Sequence, residues 1–162
     1  MAADFKVPIL PHLKKFVLAQ LYEGHTEPIK VEEDSPLGRS VMSILIDKRQ
    51  VTTSVARSTH NKEYDSTLRL VLSHSMMERS PSIKKLARLN LEFDEIFRQA
   101  IFIWVRAQNQ NGVGSYAAVQ NFLEYYKIDE SEYTKDAAYQ AWQRFKHQKY
   151  QKERKNRLQR VK

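Results

Sequence analysis

From Ile83 to Val105 the apolar residues recur at the spacing of one helical face: Ile83, Leu86, Leu89, Phe93, Ile96, Phe97, Ala100, Ile101, Trp104 and Val105. Strands alternate every second residue and seldom exceed about ten residues, so a stripe of this length fixes helix as the dominant element. Ser80-Pro81-Ser82 supplies the start, and the polar run Gln108-Asn109-Gln110-Asn111-Gly112 supplies the stop. One helix over 82–109 is long for a domain of this size, and Asn90 and Asp94 are the polar interruptions at which it would break into two. Only four Gly and five Pro among 162 residues argue against a loop-rich sandwich.

Ahead of this stripe the pattern is shorter and mixed. Phe5 to Leu10 alternates weakly around Pro8 and reads as an edge strand, because proline cannot donate to a ladder. Leu13, Phe16, Val17 and Leu21 predict a helix opening near Pro11 and stopping at Gly24. Pro28 to Glu32 is a short strand candidate. Ser35-Pro36 is a cap followed by a first-turn proline, opening a helix through Val41, Leu45 and Ile46. Gln50 to Ala56 could form a strand, and Ser58 to Asp65 reads as a loop. Tyr64 to His74 is the clearest strand, with Leu68, Leu70 and Leu72 on one face and Thr67, Arg69, Val71 and Ser73 on the other.

Beyond Gly112 the spacing turns helical again. With Ser115 as the expected cap, Ala118, Val119, Phe122, Leu123 and Tyr126 give a helix of about three turns, closed by Ile128. Asp129-Glu130-Ser131-Glu132 places acids at the positive end of the next helix, which would bury Tyr133 or Ala138 with Tyr139, Trp142 and Phe145. The expected fold is therefore α+β and predominantly helical. A small N-terminal strand/helix part (1–80) packs on a helical bundle (81–147) with a helix-turn-helix-like arrangement, and a basic C-terminal helix (148–162) follows.

Charge separates the end of the chain from the rest. The net charge is +8. Arg144 to Lys162 hold nine Lys or Arg against one acid, Glu153, while residues 1–143 hold eighteen of each sign. A neutral body with a basic arm is a pattern suited to polyanions. The arm's cations are Arg144, Lys146, Lys149, Lys152, Arg154, Lys155, Arg157 and Arg160, with Lys162 at the end. Gln120, Asn121, Gln140 and Gln143 lie off the apolar stripes and are residue types that pair with adenine edges, though each is also an ordinary surface residue.

Enzyme signatures are missing from the sequence. There is no Cys, hence no disulfide, thiolate zinc site or cysteine nucleophile. His12, His25, His60, His74 and His147 show no HxH or HxxxH pairing, there is no G-x-S-x-G elbow, and there is no Gly-rich phosphate loop. His60 with Glu63 and Asp65 is the one group that could be drawn as a metal or acid–base cluster, in a loop that collects such residues by chance. No catalytic residue, metal or cofactor is expected. The N-terminus lacks the order of a signal peptide, and no apolar run approaches the ~20 residues that cross a bilayer, so a soluble cytoplasmic protein without a membrane partner is expected.

These features predict a non-enzymatic nucleic-acid-binding protein, with duplex DNA as ligand, acting as a regulator or accessory of replication or recombination. One alternative is a protein–protein adaptor or structural subunit whose basic tail docks on an acidic partner. Another is RNA binding, with Tyr116, Tyr125 or Tyr150 stacking on bases.

Overall fold

A computed structural model describes residues 4–21, 27–46 and 66–160, with side chains for all but residues 21 and 157–160. In chain order the elements are β1 (Asp4–Ile9), α1 (Pro11–Leu21), β2 (Ile29–Val31), α2 (Pro36–Ile46), β3 (Ser66–Leu72), α3 (His74–Met77), α4 (Ile83–Leu86), α5 (Leu89–Gln110), α6 (Ser115–Tyr125) and α7 (Lys135–Arg160). The fold is α+β and predominantly helical. Gly24, the strand expected over Gln50–Ala56, the loop over Ser58–Asp65 and the His60, Glu63 and Asp65 group lie outside the described residues.

Two compact units divide the chain, Met1–Asp94 and Glu95–Lys162, with the boundary inside α5. The first holds a three-stranded sheet in the order β1-β3-β2. β3 is central, antiparallel to β1 and parallel to β2. Its alternation is as regular as its sequence: Leu68, Leu70 and Leu72 are buried, while Thr67 is exposed and Arg69 and Val71 lie between. The strand ends at Leu72 rather than His74, because the backbone at Ser73 already takes the extended cap position of α3, and Tyr64 and Asp65 lie outside the described residues. β1 is an edge strand that accommodates Pro8 opposite Thr67.

The start of α2 shows why its sequence is so specific. The Ser35 hydroxyl accepts from the Gly38 amide at 2.9 Å and donates to the Glu32 carbonyl at 2.6 Å. A Cβ at Gly38 would run into that same carbonyl, so the cap and the glycine are one device.

The central apolar stripe does break, but at Ala87 and Arg88, ahead of both Asn90 and Asp94. Ser82 caps the short α4 by accepting from the Lys85 amide at 3.2 Å, and α5 begins at Leu89. Asn90 is only 5% exposed and works as a connector. Its amide nitrogen donates to the carbonyls of Pro8 at 2.6 Å and Ala87 at 3.2 Å, and its oxygen accepts from the Leu10 amide at 3.3 Å. A polar residue on an apolar face thus fixes the corner between β1 and α1, which a one-dimensional pattern cannot show.

Candidate nucleic-acid interface

In the second unit, α5, α6 and α7 pack as a small helical bundle around aromatic side chains. Phe97 meets Phe122 edge-on at 5.6 Å between ring centres, Trp104 meets Phe122 at 5.8 Å, and Phe102 meets Phe145 at 5.7 Å. Ala138 and Trp142 are the buried residues of α7. Tyr139 and Phe145 are half-buried beside them, and Tyr133 packs edge-on against Phe97 just before the helix.

Both inter-helix connections are built by the same device. After α5 the Val113 amide bonds to the Gln108 carbonyl at 3.1 Å and the Gly112 amide to Asn109 at 3.1 Å, with Gly112 at φ +82°. After α6 the Ile128 amide bonds to Leu123 at 2.9 Å and the Lys127 amide to Glu124 at 3.0 Å. This paired pattern needs a left-handed residue. At the second site the residue is Lys127, φ +53°, where glycine would be unstrained. Ile128 closes α6 as its sequence predicts, being buried at the motif's end.

Helix starts differ in detail from the sequence reading. Gly114, not Ser115, is the cap of α6, and Ser115 is its first residue, with its hydroxyl paired to the Asn109 side chain at 3.0 Å. Thr134 caps α7 by accepting from the Ala137 amide at 3.1 Å. The acids contribute as expected near that end: Glu130 accepts from the Lys135 amide at 3.2 Å, and Asp136 lies in the first turn. Nine residues, 126–134, separate α6 from α7. A helix-turn-helix connection has about three to four, so the likeness extends only to three successive helices.

The predicted contact residues fall into two places. Arg144, Lys146, Lys149, Lys152, Arg154 and Lys155 all lie on α7, together with Gln140 and Gln143. The backbone at Arg157 and Arg160 continues the same helix, while their side chains lie outside the described residues. Successive helical residues turn by about 100°, so Gln140, Gln143, Arg144, His147, Gln151 and Arg154 fall on one side, opposite Trp142. All six are exposed. His147 and Gln151 were not singled out by sequence reasoning; they pair through Nε2 and Nε2 at 2.7 Å. Their spacing from Gln140 and Arg144 is the signal that could have found them.

Gln120 and Asn121 stand apart, on the exposed face of α6. The Gln120 amide is committed, donating to Glu124 at 2.8 Å and accepting from the Lys135 ammonium at 2.5 Å. The same ammonium lies 3.9 Å from the centre of the Tyr116 ring. Tyr116 packs edge-on against Tyr139 and donates its hydroxyl to Asp136 at 2.7 Å, a bond that raises its pKa above the ordinary phenol value. This network fastens α6 to the start of α7. Glu124, Asp129, Glu130, Glu132 and Asp136 make that end acidic, which disfavours phosphate there.

Cations of α7 divide between packing and solvent. The Lys146 ammonium lies 5.0 Å from the centre of the Trp142 ring and that of Lys149 lies 4.5 Å from Phe102. From Gln151 to Asn156 every side chain is exposed. Among the described residues no helix is long and apolar enough to cross a membrane, and no three His, Asp or Glu side chains gather as metal ligands.

No family model matches this chain, and no curated protein or solved structure is detectably similar to it.

Proposed function

We propose that this chain is a non-enzymatic DNA-binding protein that grips duplex DNA through α7 and serves as a regulator or accessory of replication or recombination. The reading is supported by one observation above all. A single 26-residue helix, about 39 Å long, leaves the bundle and runs on from Arg144 to Arg160 through eight Lys or Arg against one acid, most of the chain's net charge of +8. A major groove about 12 Å wide admits such a helix. Arg144, Lys152, Arg154, Lys155, Arg157 and Arg160 would contact phosphates, with Lys146 and Lys149 at the edge of the bundle. Phosphate contacts fix position and register, and carry no sequence information.

Gln140 and Gln143, on the same face as Arg144, are the candidates for base contact, since a Gln amide matches the N6/N7 edge of adenine. The role of Gln120 and Asn121 is weaker, because they lie at the acidic end and Gln120 is already bonded. A mobility-shift series with duplex DNA, single-stranded DNA, RNA and an acidic polypeptide tests the proposal. Duplex DNA should shift at the lowest protein concentration at low salt. Preference for the polypeptide would favour the adaptor reading, and absence of any shift with nucleic acid at low salt would end the DNA reading.

A further inference from the structure

Two cavities open beside the start of the basic stretch, one of about 270 Å³ and one of about 440 Å³. They share Trp142, Lys146 and Tyr150. The smaller adds Phe102, Arg106, Asn109 and Gln110 from α5; the larger adds Ser115, Tyr139, Gln143 and His147. Neither is lined by a carboxylate. An aromatic cleft whose only formal charges are cationic complements a nucleotide, which offers a flat apolar base and an anionic phosphate within a few ångströms of each other.

The aromatic rings of the bundle are not equally available. Tyr116 is held by Tyr139, Lys135 and Asp136, and Tyr125 packs against Trp104 at 5.2 Å and Tyr126 at 5.0 Å. Trp142 is 5% exposed and carries the Lys146 ammonium over its ring. Tyr150 is 55% exposed, and among the described residues no ring or hydrogen-bond partner holds it. It lines both cavities and lies about one turn before Arg154 on α7. An exposed aromatic ring near cations and without a ring partner is well suited as a stacking platform for a base.

We infer that the cleft at Trp142, Lys146 and Tyr150 takes an unpaired nucleotide, so that the preferred ligand is duplex DNA carrying a single-stranded extension. The duplex part of this ligand rests on the function proposed above; the cleft itself does not. The base stacks on Tyr150, and the adjoining phosphate lies between Lys146 and Arg106. The exposed amides of Gln110 and Gln143 lie at the rims for the base edges. Tyr150 and Arg106 thereby join the interface, although neither belongs to the duplex-contacting face of α7.

The test compares three fluorescent probes by anisotropy: a blunt duplex, the same duplex with a dT extension of about six nucleotides, and dT alone, a length matching the shorter strand sites of known single-strand readers. The extension should tighten binding by roughly tenfold, the value of one good base–aromatic stack. Tyr150→Leu should erase that gain while blunt-duplex affinity stays unchanged, and Tyr150→Phe should retain it. Equal affinity for blunt and extended duplex, or a gain that survives Tyr150→Leu, overturns the inference and leaves the duplex reading standing. Binding of dT that depends on Tyr150, without any binding of blunt duplex, sustains the cleft and overturns the duplex reading.

Discussion

The two halves of α7 share a helix and almost nothing else. From Lys135 to Tyr150 the helix is held by the bundle: Ala138 and Trp142 are buried, Phe145 lies against Phe102, and even the cations Lys146 and Lys149 sit over aromatic rings. From Gln151 onward the described side chains are all exposed. Packing decides the first half, whereas only local propensity and the favourable placing of cations near a helix C-terminus support the second. The described side chains beyond Tyr150 take no part in the packing of the bundle. The contrast separates a packed half from an exposed half, and the function proposed above puts most of the phosphate contacts on the exposed one.

That division can be attacked from either side. Trp142→Ala removes the largest buried side chain of the packed half and should lower unfolding free energy by about 3–5 kcal/mol in denaturant titration. A loss below about 1 kcal/mol would mean that α7 is not held to the bundle through Trp142. The opposite change, Lys152→Gln with Arg154→Gln and Lys155→Gln, should move stability by no more than about 0.5 kcal/mol. Duplex affinity should nevertheless drop, and the salt slope should shrink by roughly 0.9 per phosphate contact removed.

Lys149 stands at the border and should feel both effects. Lys149→Gln should cost about 0.5–1 kcal/mol by loss of its contact with Phe102, and it should weaken duplex binding at the same time. An effect on affinity alone would place Lys149 with the exposed half. At the bundle's acidic end Lys127→Gly relieves a left-handed side chain and should raise stability by about 0.5–1 kcal/mol without changing DNA affinity.

The smallest effect is alkaline. Burial, and then the neighbouring Tyr125, raise the pKa of Tyr126. The fold therefore favours the protonated phenol, and its contribution is complete below the ordinary value of about 10. It is lost as pH rises through the higher folded value. Wild type should hold its stability up to about pH 10 and decline above it, and Tyr126→Phe should make that decline shallower. An identical decline in the variant would assign the alkaline loss to other groups.

Much of the fold was legible because its driving forces are local and periodic. The alternating leucines of β3, the Ser35-Pro36 cap and the apolar stripe from Leu89 to Val105 each announce an element and its buried face. The point where the central stripe breaks was not legible, because it depends on Asn90 reaching β1 some eighty residues away in sequence. Ser115 looked like a cap and proved to be the residue after it, since the chain can use Gly114 there and spend the hydroxyl on Asn109. In the candidate interface the cations of α7 announce themselves by composition. Arg106 does not, because only the packing of α5 on α7 brings it to Trp142 and Tyr150. Gln120 and Gln140 look alike in sequence, and the structure parts them by bonding the first to Lys135 at the acidic end.

Duplex affinity measured across a salt series, for the full chain and for a chain ending at Tyr150, tests the central claim most directly. With six to eight cations on phosphates, the full chain should show a log–log slope of about −5 to −7, and the shortened chain about −3 or shallower with its thermal stability intact. Equal slopes and affinities for the two chains would contradict the proposal that the exposed half of α7 carries most of the phosphate contacts.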